Sequence, residues 1–133
     1  MEFNSVADSG ERQDFITGSK RDTRKGKGRF DLIPPYALKR LAQHYENGAV
    51  KYGDRNWEKG QELGRYMDSM IRHAYAYLNG SNVEDHLAAV AWNALSCIET
   101  EHRIKLGVLP KELDDLSELR AKLREAEVLH GQT

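Results

Sequence analysis

The stretch Arg72–Leu95, RHAYAYLNGSNVEDHLAAVAWNAL, decides the fold. Its opening residues close a helical pattern in which Leu63, Tyr66, Met67, Met70, Ile71, Ala74, Tyr77 and Leu78 recur three or four apart from about Glu62 onward, and Asn79-Gly80 stops it. Ser81-x-x-Glu84 or Asn82-x-x-Asp85 can cap the next helix, which runs to about Lys105. That helix is apolar nearly all round between Leu87 and Ile98, as a central helix surrounded by others would be. One residue breaks the apolar run. Asn93 is a primary amide, and burying it without partners would cost about 1–3 kcal/mol, so it must face either protein or a ligand.

Working outward, Leu38, Leu41, Ala42, Tyr45, Ala49 and Tyr52 predict an earlier helix over Pro35–Tyr52, with Pro34-Pro35 at its start and Gly53 after its last turn. DRNWEKG then reads as a polar loop carrying one large aromatic. Downstream, GVLP breaks the chain, and KELDDLSELRAKLREAEVL resumes a narrower helical stripe through Leu113, Leu116, Leu119, Leu123 and Ala126. No repeat, strand-like alternation or Gly-x-Gly fingerprint appears. The expected class is all-α: a helical bundle of about four helices, completed by oligomerisation, behind a flexible basic N-terminal arm. The expected organisation is an arm over 1–28, a helical core over 29–109 and a charged amphipathic helix over 110–133.

A chain of 133 residues, 39% hydrophobic and 31% charged, fits one globular domain. No run approaches the length of a membrane span, and no basic segment followed by an apolar one opens the chain. The single cysteine, Cys97, excludes an internal disulfide framework, and a cytoplasmic location is expected. A net charge of −1 gives no general case for nucleic acid. Lys20, Arg21, Arg24, Lys25, Lys27 and Arg29 are nevertheless clustered, either to contact phosphate or as a solvated tail.

Helical spacing brings several polar residues toward the interior. His86 and Asn93 share a stripe, His73 lies on the apolar side of its helix, and Glu46 falls between Ala42 and Ala49. Glu46, Asp68 and Asp85 thus offer one carboxylate from each of three helices, a set suited to Mg²⁺, which takes oxygen ligands and shares its shell with substrate phosphates. Lys51, Arg55, Lys59 and Arg72 could neutralise those phosphates. Plainer roles exist for each: an exposed Glu46, a core His73, a capping Asp85 and a surface Asp68–Arg72 pair. One cysteine excludes Cys-rich zinc sites, and the order Asp85-His86 reverses the His-Asp pair of one phosphohydrolase class.

The segments GKGRFDLIPPYAL, ENGAVKYGDRNWEKG, RHAYAYLNG and EDHLAAVAWNALSCIE resemble the phage dATP/dGTP diphosphohydrolases, MazZ-type relatives of the all-α MazG-like nucleotide pyrophosphohydrolases, over about Thr17 to Asp115. The resemblance implies an oligomeric, Mg²⁺-dependent enzyme that converts a purine deoxynucleoside triphosphate, dGTP or dATP, to monophosphate and pyrophosphate, in the host cytoplasm if phage-encoded. The Glu-x-x-Glu and Glu-x-x-Asp pairs of MazG-like enzymes are absent at the expected places, so the metal candidates Glu46, Asp68 and Asp85 rest on helix geometry alone. Catalytic candidates are Glu46, Lys51, Arg72, His73 and His86. Substrate-binding candidates are Arg29, Lys51, Tyr52, Arg55, Asn56, Trp57, Lys59 and Asn93. A homodimer or homotetramer with sites near subunit boundaries is expected, and membranes and nucleic acid are not expected partners. The alternative is a helical module that binds or sequesters a nucleotide without cleaving it.

Overall fold

Each predicted helix forms, and the departures lie at their ends and in the arm. In the computed structural model residues 2–131 are described, and the chain divides into two units, Met1–Pro34 and Pro35–Thr133. The second unit holds α1 (Pro35–Tyr52), α2 (Leu63–Leu78), α3 (His86–Lys105) and α4 (Ser117–Leu129). α1 has the predicted bounds, and the Gly53 N–H closes it on the Ala49 carbonyl at 2.8 Å. α3 uses neither of the two expected capping boxes: it starts three residues later than Asn82 would cap it, with Asp85 itself the capping residue, its side chain accepting from the Ala88 N–H at 3.1 Å.

α4 starts at Ser117, four residues after Leu113 where the predicted stripe begins, since Lys111–Leu113 forms only a short 3₁₀ turn. Asp114 explains the delay. Its carboxylate accepts from the backbone N–H groups of Leu116 and Ser117 and from the Ser117 hydroxyl, and an aspartate so engaged begins a helix rather than continuing one.

The first unit corrects the expectation of no strands. β1 (Arg12–Asp14) and β2 (Lys20–Asp22) form an antiparallel hairpin with Arg12 opposite Asp22 and Asp14 opposite Lys20. These cross-strand charges pair at 3.6 and 3.4 Å, and strands of three residues are too short to show any alternation. The unit also includes the 3₁₀ turn Phe30–Leu32 and ends at Pro34.

Both α1 and α2 pack on α3, as expected of a central helix, and α2 with α3 forms the most extensive contact. α3 contributes small residues to the core: Ala88, Ala89, Asn93, Ser96 and Thr100 are all buried. Their polar groups are matched. The Tyr66 hydroxyl meets Thr100 Oγ1 at 3.1 Å, and from α1 the Tyr45 hydroxyl meets Ser96 Oγ at 2.8 Å. Trp92 is flanked by the rings of Tyr45, Tyr66 and His44 at 5.8, 6.1 and 6.2 Å. Among the described residues no fully enclosed side-chain nitrogen or oxygen lacks a hydrogen bond. α3 is not surrounded, however: Leu87, Leu95 and Ile98 are exposed along one face, and in α4 only Ala121 is even half-buried. No helix of the described chain is long and apolar enough to cross a membrane.

Candidate functional site

The turn between α2 and α3 builds the site. Asn79 ends α2, Gly80 follows with φ +83°, and the Ser81 N–H reaches back to the Ala76 carbonyl at 3.0 Å while the Gly80 N–H bonds Tyr77. This paired closure needs a left-handed residue after the cap, which glycine supplies without Cβ strain. It returns Ser81 toward the start of α3. The Ser81 hydroxyl lies 2.9 Å from His86 Nε2, and His86 Nδ1 lies 2.9 Å from His73 Nδ1 on α2. Glu84 Oε1 approaches His73 Nδ1 at 3.6 Å. His86 is only 7% exposed, His73 is half-buried, and Glu84 opens to solvent. Burial draws His73 below the usual imidazole value, with Glu84 opposing and His86 adding to the shift.

α1 borders this cluster. Arg40 donates to Asp85 through Nε at 2.9 Å and through Nη2, which holds the Asp85 carboxyl below the usual carboxylate range. The Lys51 ammonium stands 5.0 Å from the centre of the Tyr52 ring. Its pKa is raised by the Tyr52 hydroxyl first, and also by the Glu84 carboxylate, so this cation feels the charge of the cluster.

The loop after α1 is pinned to the far end of α3. Arg55 adopts left-handed backbone at φ +58°, uncommon for a side-chain-bearing residue, and starts the 3₁₀ turn Asn56–Lys59. Trp57 lies under the Arg103 guanidinium at 5.0 Å, and Arg103 also meets Glu58 at 3.5 Å and Glu99 at 3.4 Å. Gly60, at φ +92°, ends this turn where an added Cβ would stand 2.7 Å from Leu113, so no side chain fits without a shift.

Of the sequence candidates, the structure brings together His73 and His86. The carboxylate set does not assemble within the chain. Glu46 is exposed and accepts from Gln43 at 2.7 Å, because the packed side of α1 runs through Leu41, His44, Tyr45, Gly48 and Ala49 and leaves Ala42 in solvent. Asp68 is exposed and accepts from Arg65 at 3.1 Å and Arg72 at 3.3 Å, which also engages Arg72. Asp85 caps α3 and pairs with Arg40. As a set these three do not fit Mg²⁺ in one chain.

Among the substrate-binding candidates, Arg29 belongs to the first unit and is clamped by Asp31 at 2.7 and 2.8 Å. Tyr52, Arg55 and Lys59 are exposed, and Asn56 and Trp57 are half-buried, the latter against Arg103. Asn93 is turned into the helix pair, its amide nitrogen donating to the Ala89 carbonyl at 2.8 Å and more weakly to Ser69 Oγ at 3.5 Å. Cys97 is half-buried, and burial pushes its thiol up, away from the thiolate a nucleophile requires. The residues sequence reasoning passed over are Glu84, Ser81 and Arg40. The signal for the first two was the turn: a reversal between Leu78 and His86 returns the chain onto the last turns of α2, where His73 sits.

No curated protein and no solved structure matches the chain. Residues 17–108 match the protein family described as dATP/dGTP diphosphohydrolase, N-terminal. The match takes in the loop after α1, both partners of the histidine pair and the whole α2–α3 turn. On that match, which spans well over half of its length, the chain belongs to the dATP/dGTP diphosphohydrolase family through that family's N-terminal region.

Proposed function

We propose that the protein hydrolyses a purine deoxynucleoside triphosphate, dGTP or dATP, to the monophosphate and pyrophosphate. Water adds to the α-phosphorus, the bond from that phosphorus to the bridging oxygen breaks, and pyrophosphate leaves. The observation that carries this reading is the family match together with the convergence, inside the matched region, of His73, Glu84 and His86 at the α2–α3 turn.

The residues divide the work by chemistry. Glu84, open to solvent, can accept a proton from the attacking water. The two imidazoles fix the direction from which that water is held, and Lys51 offsets charge as it builds on the phosphate oxygens. Arg55 and Lys59, both exposed on the loop that follows α1, are further cations for the phosphate chain. No step is routed through Mg²⁺, because Glu46, Asp68 and Asp85 do not meet.

The test is incubation with each of the four deoxynucleoside triphosphates, with Mg²⁺ and with Mn²⁺ in parallel, followed by separation of products. The expected result is monophosphate and pyrophosphate from dGTP or dATP. Orthophosphate release would exclude the reaction. Tight binding with the nucleotide recovered intact would instead support the sequestering module, a reading favoured by the engagement of Asp68 and Asp85 with arginines rather than with each other.

A further inference from the structure

The polar contacts of His73, Glu84 and His86 are not those of a closed core network. Among the described residues this is the one group of histidine, cysteine and carboxylate side chains whose ligand atoms converge, all within 4.8 Å of one another. Two Nδ1 atoms face each other at 2.9 Å, so at most one proton lies between them and at least one lone pair points inward. His86 is oriented from behind. Its Nε2 meets the Ser81 hydroxyl at 2.9 Å, the outer contact by which a ligating histidine is usually held in one tautomer and one ring direction.

We propose that His73, Glu84 and His86 bind one divalent transition-metal ion, of the zinc, cobalt or manganese class, through both Nδ1 atoms and the Glu84 carboxylate. The spacing supports this. Two nitrogens on a tetrahedral ion at the usual zinc distance stand about 3.3 Å apart, and the present separations of 2.9 Å between nitrogens and 3.6 Å from nitrogen to carboxylate bracket that value. The third pair, His86 with Glu84, lies within 4.8 Å, and movement of exposed Glu84 and half-buried His73 would close the shell. The proton between the rings moves to His73 Nε2 through solvent as the ion enters.

Two imidazoles and one carboxylate select against Mg²⁺, which takes oxygen ligands. Three protein ligands, one of them at the surface, leave at least one position open, as in sites where the ion carries water or a substrate oxygen. Binding rests on the geometry alone. Only the assignment of that open position to a phosphate oxygen rests on the hydrolase reading.

The test uses the full chain, stripped of metal with EDTA and dialysed, without nucleotide. Co²⁺ is titrated while its visible absorption is followed, and Zn²⁺ and Mn²⁺ are titrated by calorimetry with Mg²⁺ as competitor. One equivalent per chain is expected, with a Co²⁺ spectrum of low coordination number, and millimolar Mg²⁺ should not displace it. His73→Gln and Glu84→Gln replace residues that are not fully buried; each should melt like the stripped parent and bind at least about tenfold more weakly. His86→Ala removes a buried ring and is not used to decide. Equal stoichiometry and affinity in both variants, or displacement by equimolar Mg²⁺, would overturn the site. Since no nucleotide is present, a failure here leaves the hydrolysis assay standing, and inactivity on nucleotides leaves the metal titration standing.

Discussion

Asn93 and Asp85 show how one residue's partners decide between two roles. Asn93 is 4% exposed, and the hydrogens of its amide serve the α2–α3 seam, one of them doubling the load on the Ala89 carbonyl. Asn93→Ala is therefore expected to lower stability by about 1–2 kcal/mol, seen as a lower Tm, with kcat/KM per folded molecule essentially kept. A variant that melts like the parent but loses turnover would assign the amide to substrate instead. For Asp85 two substitutions separate cap from ligand. Asp85→Asn keeps the oxygen that accepts from Ala88 and loses only the charge paired with Arg40, whereas Asp85→Ala loses both. Asp85→Ala should be the less stable of the two by about 1 kcal/mol, and thermal melts of both variants check it. Loss of activity in a stable Asp85→Asn would return Asp85 to the list of metal ligands.

At the scale of elements, hydroxyl pairs join α3 to α1 through Tyr45–Ser96 and to α2 through Tyr66–Thr100, and that gives the helix packing a pH limit. Burial raises the phenols of Tyr45 and Tyr66 above the ordinary value, against the lowering effect of their bonds to Ser96 and Thr100. A group raised on folding contributes stability that is complete below its unfolded pKa, about 10 for tyrosine, and that drains away as pH rises through the folded value. Stability from denaturant melts should accordingly fall above about pH 10, and Tyr66→Phe should shallow that fall while costing about 1 kcal/mol at neutral pH. An unchanged alkaline slope in Tyr66→Phe would remove tyrosine ionisation as its cause. The helices themselves were legible because three-four spacing and the stops at Gly53 and Asn79-Gly80 act locally. The site was half legible: His73 and His86 could be placed on inward stripes. Their meeting with Glu84 could not, because it depends on how tightly one turn closes. Glu46 misled because two alanines define a stripe too weakly to say which of two adjacent columns of α1 is packed.

For the molecule as a whole, the decisive fact is how little the chain covers by itself. Among the described residues only Leu63, Tyr66, Ala88 and Ala89 are buried apolar residues, too few to hold a helical unit of this length together. The uncovered residues are ordered rather than scattered. Met67, Ile71, Tyr75 and Leu78 repeat four, four and three apart along α2, and Leu87, Ala91, Leu95 and Ile98 repeat the same intervals along α3; all eight are exposed. Such stripes on neighbouring helices exceed what a soluble monomer ordinarily shows. A second copy is the occupant to expect, since self-pairing would turn a helix pair into a bundle. α4 carries its own seam at four-three spacing, Leu119, Leu123 and Ala126, flanked by Lys122 and Glu127. In a parallel pair of α4 helices Lys122 would face Glu127 of the other copy, so these flanking charges favour association rather than oppose it. Light scattering at micromolar concentration should give a dimer or tetramer. Ile71→Glu with Leu95→Glu should dissociate it by placing charge at the middle of both stripes, while Leu123→Glu separates the contribution of α4. A parent that runs as a monomer, or a double variant of unchanged mass, would mean that these stripes are not closed by a second copy.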